Sequence, residues 1–249
     1  MSLLLSTQKV LITGASRGIG LAIAKALYDL GANLILAARS FENVGDFVRQ
    51  ERISCYSLDL THKESLKEFL SQLKEDSHFP TILIHNVGGR LEQDIQPLSY
   101  EAFLASMDLN LGVAISLNHH FLPLMQRQKQ GYILHISSDS ALNGNGAPGY
   151  VAAKAGLNAY IKSTARFYAK DNICINGIMP GIIDFPGSAW DKKKESSPKQ
   201  YLETKARQSL GRFGKLEEIT SFITLLLEKK NMLTSGEIFT LNGGGGFMS

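Results

Sequence analysis

The chain has little of what would tie it to a disulfide scaffold, a metal centre or a membrane. Its 249 residues include two cysteines, and Cys55 and Cys174 lie too far apart in sequence to form a metal or redox spacing. That predicts reduced, structural thiols in a cytoplasmic protein. No group of ligating residues has metal-ligand spacing, so no metal is expected. His119 and His120 are adjacent, and adjacent positions on a helix point in different directions. No sign of charge dominates: 26 Lys+Arg against 23 Asp+Glu leave a net charge of +3, too small to suggest a nucleic-acid partner. No apolar run is long enough to span a bilayer, and Leu3-Leu4-Leu5 is too short for the apolar region of a signal peptide. Internal repeats and low-complexity tracts are missing. The run Gly243–Gly246 is expected to form a flexible C-terminal tail.

What remains is the composition of a globular protein, 44% hydrophobic and 20% charged. Short apolar segments predict strands at 8–13, 33–38, 53–58, 81–86, 131–137, 172–178 and 237–241. Helical patterns lie between them, the longest near 99–127 and 150–170. Strands alternating with helices imply parallel βαβ units. The expected fold is therefore a single α/β domain over 1–249, a doubly wound, mostly parallel seven-stranded sheet with helices on both faces. Ligands of such sheets bind beyond the strand C-terminal ends, where strand order reverses. Gly14, Arg39, Asp59, Asn86, Ser138 and Pro180 each follow a predicted strand and so converge on one cleft. Thr61-His62-Lys63-Glu64 reads as a capping box, so part of the segment around Asp59 simply starts a helix.

Two motifs carry chemistry. Thr13-Gly14-Ala15-Ser16-Arg17-Gly18-Ile19-Gly20 follows the apolar run Val10-Leu11-Ile12 and precedes a helical pattern of Ile23, Leu27 and Leu30. Strand, glycine turn and helix form the context of a dinucleotide-binding loop. Gly14 permits the tight turn, Gly18 leaves room for a pyrophosphate at the helix N-terminus, and Gly20 allows close helix–strand packing. The second motif is Tyr150-Val151-Ala152-Ala153-Lys154. On a helix it puts a phenol and an ammonium on one face, one turn apart. A nearby positive charge favours the phenolate, so Tyr150 is expected to have a lowered pKa and to act as acid or base on a carbonyl/alcohol pair.

From about residue 8 to 246 the chain resembles the short-chain dehydrogenase/reductase family. The glycine loop at 13–20 matches in full, and His85-Asn86-Val87-Gly88 stands where the family has Asn-Asn-Ala-Gly. Asn110, Ser138, Tyr150 and Lys154 match the catalytic tetrad, and Pro180-Gly181 the turn over the nicotinamide. The resemblance implies a Rossmann fold and an NADP(H)-dependent oxidoreductase acting on CH-OH/C=O groups. Tyr150 would donate the proton, Ser138 orient the substrate oxygen, Lys154 hold the nicotinamide ribose and tune Tyr150, and Asn110 hold a proton-relaying water. It also implies cofactor contacts from Gly14, Ser16, Arg17, Gly18, Ile19, Gly20, Arg39, Asp59, Leu60, Asn86, Gly88, Tyr150, Lys154, Pro180, Gly181 and Ile183. Ser137 is the alternative to Ser138: it lies 13 residues before Tyr150, the family's common spacing, whereas Ser138 lies 12 before. The second strand ends in Arg39-Ser40 with no carboxylate until Glu42. Arg39 and Arg17 therefore suit a 2′-phosphate, and NADPH over NADH.

Within the family the chain is most similar to reductases of 3-oxoacyl groups on acyl carrier protein, through Ser16–Gly20 and Leu210-Gly211-Arg212-Phe213-Gly214. Arg127 and Lys129 are candidates for docking an acidic carrier, although Asp171-Asn172 stands at a second position where a basic residue is expected. A keto sugar or small hydroxy-ketone is the alternative substrate, and a non-enzymatic NADP(H) sensor a further one. The segment 185–208, with Phe185, Trp190 and Lys192-Lys193-Lys194, is the expected substrate lid. A homotetramer or homodimer, built through the two long helices and the last strand, follows from the resemblance.

Overall fold

The computed structural model describes residues 5–76, 79–229 and 232–245. Seven strands form one sheet: β1 (Lys9–Thr13), β2 (Asn33–Ala38), β3 (Ile53–Ser57), β4 (Ile82–His85), β5 (Gly131–Ile136), β6 (Ile173–Pro180) and β7 (Ile238–Leu241). Their order is β3-β2-β1-β4-β5-β6-β7, and every pairing is parallel. The helices are α1 (Gly18–Asp29), α2 (Lys63–Glu75), α3 (Tyr100–Met107), α4 (Val113–Gln128), α5 (Ser140–Asn143), α6 (Pro148–Tyr168), α7 (Ala189–Ser196), α8 (Pro198–Ala206) and α9 (Leu216–Lys229).

Side chains alternate across the pleat, so each central strand feeds two apolar layers. Val10, Ile12, Leu34, Leu36, Ile82 and Ile84 pack with Ile23 and Leu27 of α1 and Ile223 and Leu227 of α9. Leu11, Ile35, Leu83 and Ile133 pack on the other face with Phe69 of α2, Leu117 and Phe121 of α4, and Leu157 and Ile161 of α6. Burial on both faces explains why these strands read as unbroken apolar runs. Strand order reverses between β1 and β4, which opens the crevice there.

Four local expectations change. β6 extends to Pro180, beyond the predicted 178, because Met179 and Pro180 pair with Thr240 and Leu241. The long helix expected at 99–127 is broken by a π-helical turn over Asp108–Gly112, which separates α3 from α4. The capping box at Thr61–Glu64 does not form. Thr61 instead donates its N–H (2.9 Å) and hydroxyl (2.7 Å) to Asp59 Oδ1, and α2 begins at Lys63 with no side-chain cap. The glycine run forms a turn over 243–245 that Ser209 holds through the Gly244 carbonyl at 3.2 Å; Gly246 lies outside the described residues. Neither Cys55 nor Cys174 is bridged, and no helix among the described residues is long and apolar enough to cross a membrane.

One polar cluster lies inside the apolar layer. His85 and His135 sit opposite one another in the β4–β5 register, their rings stacked 4.6 Å apart. His85 Nε2 meets Asn118 Oδ1 at 2.8 Å, and Asn118 Nδ2 donates to the Tyr160 hydroxyl at 3.1 Å. The Nδ1 atoms of both rings have no partner. Burial drives the His85 pKa down from 6.5 to about 4, and burial together with the His85 and Lys154 charges takes His135 well below 6.5. In the unfolded chain both rings take up a proton below pH ~6.5, while the folded protein does not until near pH 4 at His85. Stability is therefore complete above pH ~6.5 and falls as the pH drops toward 4, by up to about 3 kcal/mol for His85 alone. Urea midpoints measured from pH 7 to pH 4 should fall through this window, and less steeply in His85→Asn than in the parent protein.

Candidate active site

The glycine loop leaves β1 and enters α1 through two residues that only glycine accommodates easily: Gly14 at φ +65° and Gly18 at φ +54°. A Cβ at Gly20 would overlap the Gly14 carbonyl oxygen and lie 2.5 Å from Asn86 Nδ2, so helix and loop are in direct contact. Asn86 fastens the loop from the β4 side. Its Nδ2 donates to the carbonyls of Thr13 (3.2 Å) and Gly14 (3.0 Å), while Thr13 Oγ1 accepts from the N–H groups of Asn86 and Val87. Arg17, the residue before α1, makes no capping bond from its side chain, which leaves the first N–H groups of α1 facing the crevice for an anion. Arg17 and Arg39 are both exposed on that side.

The remaining residues fall into two groups. Asp59 stands close enough to Arg39 to feel its charge. Burial raises its carboxyl pKa, but the Thr61 hydrogen bonds together with His62 and Arg39 bring it below the usual range. Leu60 and Ile183 turn their side chains into the core, so only their backbones are available at the crevice. Ser16, Ile19, Gly88, Pro180 and Gly181 line the strand ends around it. The features that suit a dinucleotide here are the glycine turn, a helix N-terminus with no side-chain cap, and the exposed Arg17 and Arg39 at one end.

Beyond β5 the second group assembles. Ser138, Lys154 and Asn110 are 8%, 3% and 2% exposed. Ser138 lies close enough to the Tyr150 phenol to oppose the rise of its pKa, and its Oγ accepts from the Ser140 N–H at 3.2 Å. Ser137 turns away, donating to Asn158 Oδ1 at 2.6 Å. Of the two serines, Ser138 is the one that meets Tyr150. Lys154 Nζ donates to the Ile136 carbonyl at 2.8 Å and stands 5.8 Å from the Tyr150 ring centroid. A Cβ on Gly88 would come within 3.1 Å of that ammonium and 2.7 Å of Asn110 Oδ1, so glycine is needed for the loop to lie over both.

Electrostatics differ from the expectation. The Tyr150 pKa is raised, not lowered: burial outweighs the Ser138 hydrogen bond, and Asp139 adds to it. Lys154 is itself pushed down to about 8 by burial, and its closest partner is a carbonyl, not the phenol. The Tyr150 phenol is thereby held protonated. The Asn110 side chain is fully committed as well, accepting from the Gly89 N–H (2.8 Å) and donating to the Gly89 and Ser106 carbonyls (3.0 Å each). A water would have to meet its main-chain carbonyl.

The sequence pattern passed over two acids. Asp139, directly after Ser138, has its carboxyl pushed up by burial and is hydrogen-bonded by Asn242. Asp94 is 0% exposed and accepts from the N–H groups of Gly149 and Tyr150. A signal for Asp94 was present: α6 begins at Ala147-Pro148-Gly149 with no capping side chain, and an uncapped buried helix start requires an acceptor from elsewhere.

A family model described as enoyl-(acyl carrier protein) reductase matches residues 14–245. The chain belongs to the short-chain dehydrogenase/reductase family. It is 30% identical to 3-oxoacyl-(acyl-carrier-protein) reductase FabG of Thermotoga maritima over 94% of this chain and 96% of that one. Among solved structures it is similar to 4-hydroxyisoleucine dehydrogenase complexed with NADH, with TM-score 0.87, 27% identity and coverage of 96% and 98% of the two chains. It is also similar to L-sorbose reductase from Gluconobacter frateurii complexed with NADPH and L-sorbose, with TM-score 0.87, 26% identity and full coverage of both. As a member of this family the protein is an oxidoreductase acting on CH-OH/C=O groups with a nicotinamide cofactor. Gly20→Ala, which drives a methyl into the Gly14 carbonyl, should weaken nicotinamide dinucleotide binding roughly 10- to 100-fold, the equivalent of 1–3 kcal/mol of strain. Quenching of protein fluorescence on cofactor titration measures it.

Proposed function

We propose that the protein is an NADPH-dependent ketone reductase in which Tyr150 donates the proton, and that it acts on a 3-oxoacyl thioester. The observation that carries this reading is the meeting of Ser138 and Tyr150 with the buried Lys154 ammonium at the end of β5, the ammonium 5.8 Å from the Tyr150 ring centroid. A bound reduced nicotinamide supplies the hydride. Ser138 and the Tyr150 hydroxyl bind the carbonyl oxygen, and the Tyr150 proton passes to it as the alcohol forms. The raised Tyr150 pKa keeps that proton in place at neutral pH. Lys154 holds the nicotinamide ribose and supplies positive charge as the phenolate appears. Arg17 and Arg39, with no carboxylate at the end of β2, are the basis for NADPH. The 30% identity to FabG supports the thioester.

The lid of this proposal is α7 and α8. Phe213 packs between Trp190 (5.2 Å) and Tyr201 (5.2 Å), so those aromatics form the lid's own small core. Lys194 bridges Asp184 and Asp191 at 3.0 Å each and is not free to attract an anionic substrate. Phe185 stands against Gly18, where a Cβ would lie 2.6 Å from its ring. Assembly through α4 and α6 is part of the proposal, since Ile115 and Phe167 on those helices are exposed.

A second reading, a free polar ketone such as a keto sugar, draws on the docking residues. Lys129 is ion-paired to Asp171. It and Arg127 lie where β5 begins, the edge of the sheet opposite the cleft of the same chain. Neither Arg127 nor Lys129 then stands beside the cleft to receive an acidic carrier.

The test is NADPH oxidation with acetoacetyl groups on coenzyme A and on acyl carrier protein, with NADH in parallel. Turnover is expected on both, and Tyr150→Phe should lower kcat by roughly 10²- to 10⁴-fold with NADPH binding intact. No turnover with NADPH still bound would transfer the assignment to the free ketone. Arg39→Asp should shift the kcat/KM preference toward NADH; an unchanged preference removes Arg39 from the phosphate site.

A further inference from the structure

We propose that Asp94 is a positioning residue, fixing Tyr150 by capping from a distance the helix that carries it; this rests on reading Tyr150 as the proton donor. α6 has no cap of its own. Ala147 precedes it, Pro148 fills its first position, and its first turn contains no acid. Proline has no N–H to satisfy, but Gly149 and Tyr150 each present an N–H with no partner inside the helix. Asp94 takes both. Gly149 N–H donates to Oδ1 at 2.8 Å and Tyr150 N–H to Oδ2 at 2.7 Å. The Ser106 hydroxyl donates to the same Oδ2 at 2.9 Å.

The carboxylate is wholly enclosed, at 0% exposure. Removing an acceptor there leaves two buried amides unpaired. The position at 149 is closed to any side chain, since a Cβ would lie 2.9 Å from Ser106 Cβ and 3.1 Å from both Asp94 oxygens. Ser106 extends the link, its carbonyl accepting from Asn110 Nδ2 at 3.0 Å. One carboxylate thus ties the backbone of Tyr150 to the π turn that carries Asn110. A negative group at the start of α6 also suits the helix dipole. Asp94 touches neither the Tyr150 hydroxyl nor the glycine loop. Its loss should therefore misplace the phenol relative to Ser138 while the cofactor cradle stays intact.

Asp94→Asn keeps the shape but leaves one carbonyl acceptor and turns an NH2 against the other amide. With NADPH and acetoacetyl-coenzyme A, kcat should fall roughly 10- to 100-fold, with KM and the NADPH Kd within about twofold of the parent. Two readouts need no substrate. Amide exchange over 149–151 should quicken while that of β1 and α1 does not. The Tyr150 phenolate titration, taken as the absorbance difference from the matching Tyr150→Phe protein, should shift its midpoint. Gly149→Ala attacks the same contact from the other side and should give the same pattern if Asp94→Asn folds poorly. Unchanged exchange and an unchanged phenolate midpoint in folded Asp94→Asn would overturn the proposal, as would a loss shared equally between kcat and NADPH affinity. Wild-type kcat in Asp94→Asn beside an inactive Tyr150→Phe would overturn the role of Asp94 and leave the donor assignment standing. Full turnover by Tyr150→Phe would remove both.

Discussion

Lys154 keeps its ammonium at 3% exposure between sheet and helix, and a charge so placed has to be met by polar groups at fixed distances. The Ile136 carbonyl meets it directly. Gly88 passes over it without a side chain, and Asn110 pins that passage through Gly89. Asn110 can reach Gly89 because the helix opens into a π turn at that point, and such turns recur where function requires a side chain to be re-aimed. Burial also draws the Lys154 pKa down to about 8, so the group lies closer to losing its proton than an exposed lysine would. The loop after β4, the end of β5, the broken helix and α6 thus all meet at this single charge.

The two halves of the site were legible to different degrees for physical reasons. Local motifs were readable. The glycine loop is defined by backbone conformation that few residue types permit, and Tyr150 with Lys154 by one turn of helix. The parallel sheet was also readable, because strands covered on both faces are apolar throughout. Groups that act across long stretches of sequence left no pattern at their own positions, even where, as at the uncapped start of α6, the need for a partner could be read. Asp94 lies 55 and 56 residues before the two amides it satisfies, and nothing local sets it apart from a loop acid. The Tyr150 pKa was misjudged for a related reason: helical spacing placed the ammonium nearby, but burial of both groups depends on the whole fold. At Thr61 the local reading failed because a nearer acceptor, Asp59, took both donors.

The same comparison bears on substrate. The groups around Tyr150 and Lys154 are buried and mutually dependent, whereas the segment proposed as the lid meets the rest of the chain through Phe213, which packs on Trp190 and Tyr201, and through Asp184, which pairs with Lys194. FabG of Thermotoga maritima and L-sorbose reductase, proteins named for very different substrates, are both similar to this chain over nearly all its length.

Strand β1 lies near the middle of the sheet, yet it comes first of the seven in chain order. One of its neighbours, β2, follows within about 20 residues, but the other pairs Val10 with Ile82, some 72 residues further along. Closing so long a loop costs entropy before any contact repays it. As the chain leaves the ribosome, residues 9–13 must therefore wait as an uncovered apolar segment on one edge until β4 arrives, and the crevice that receives the cofactor is among the later features to exist.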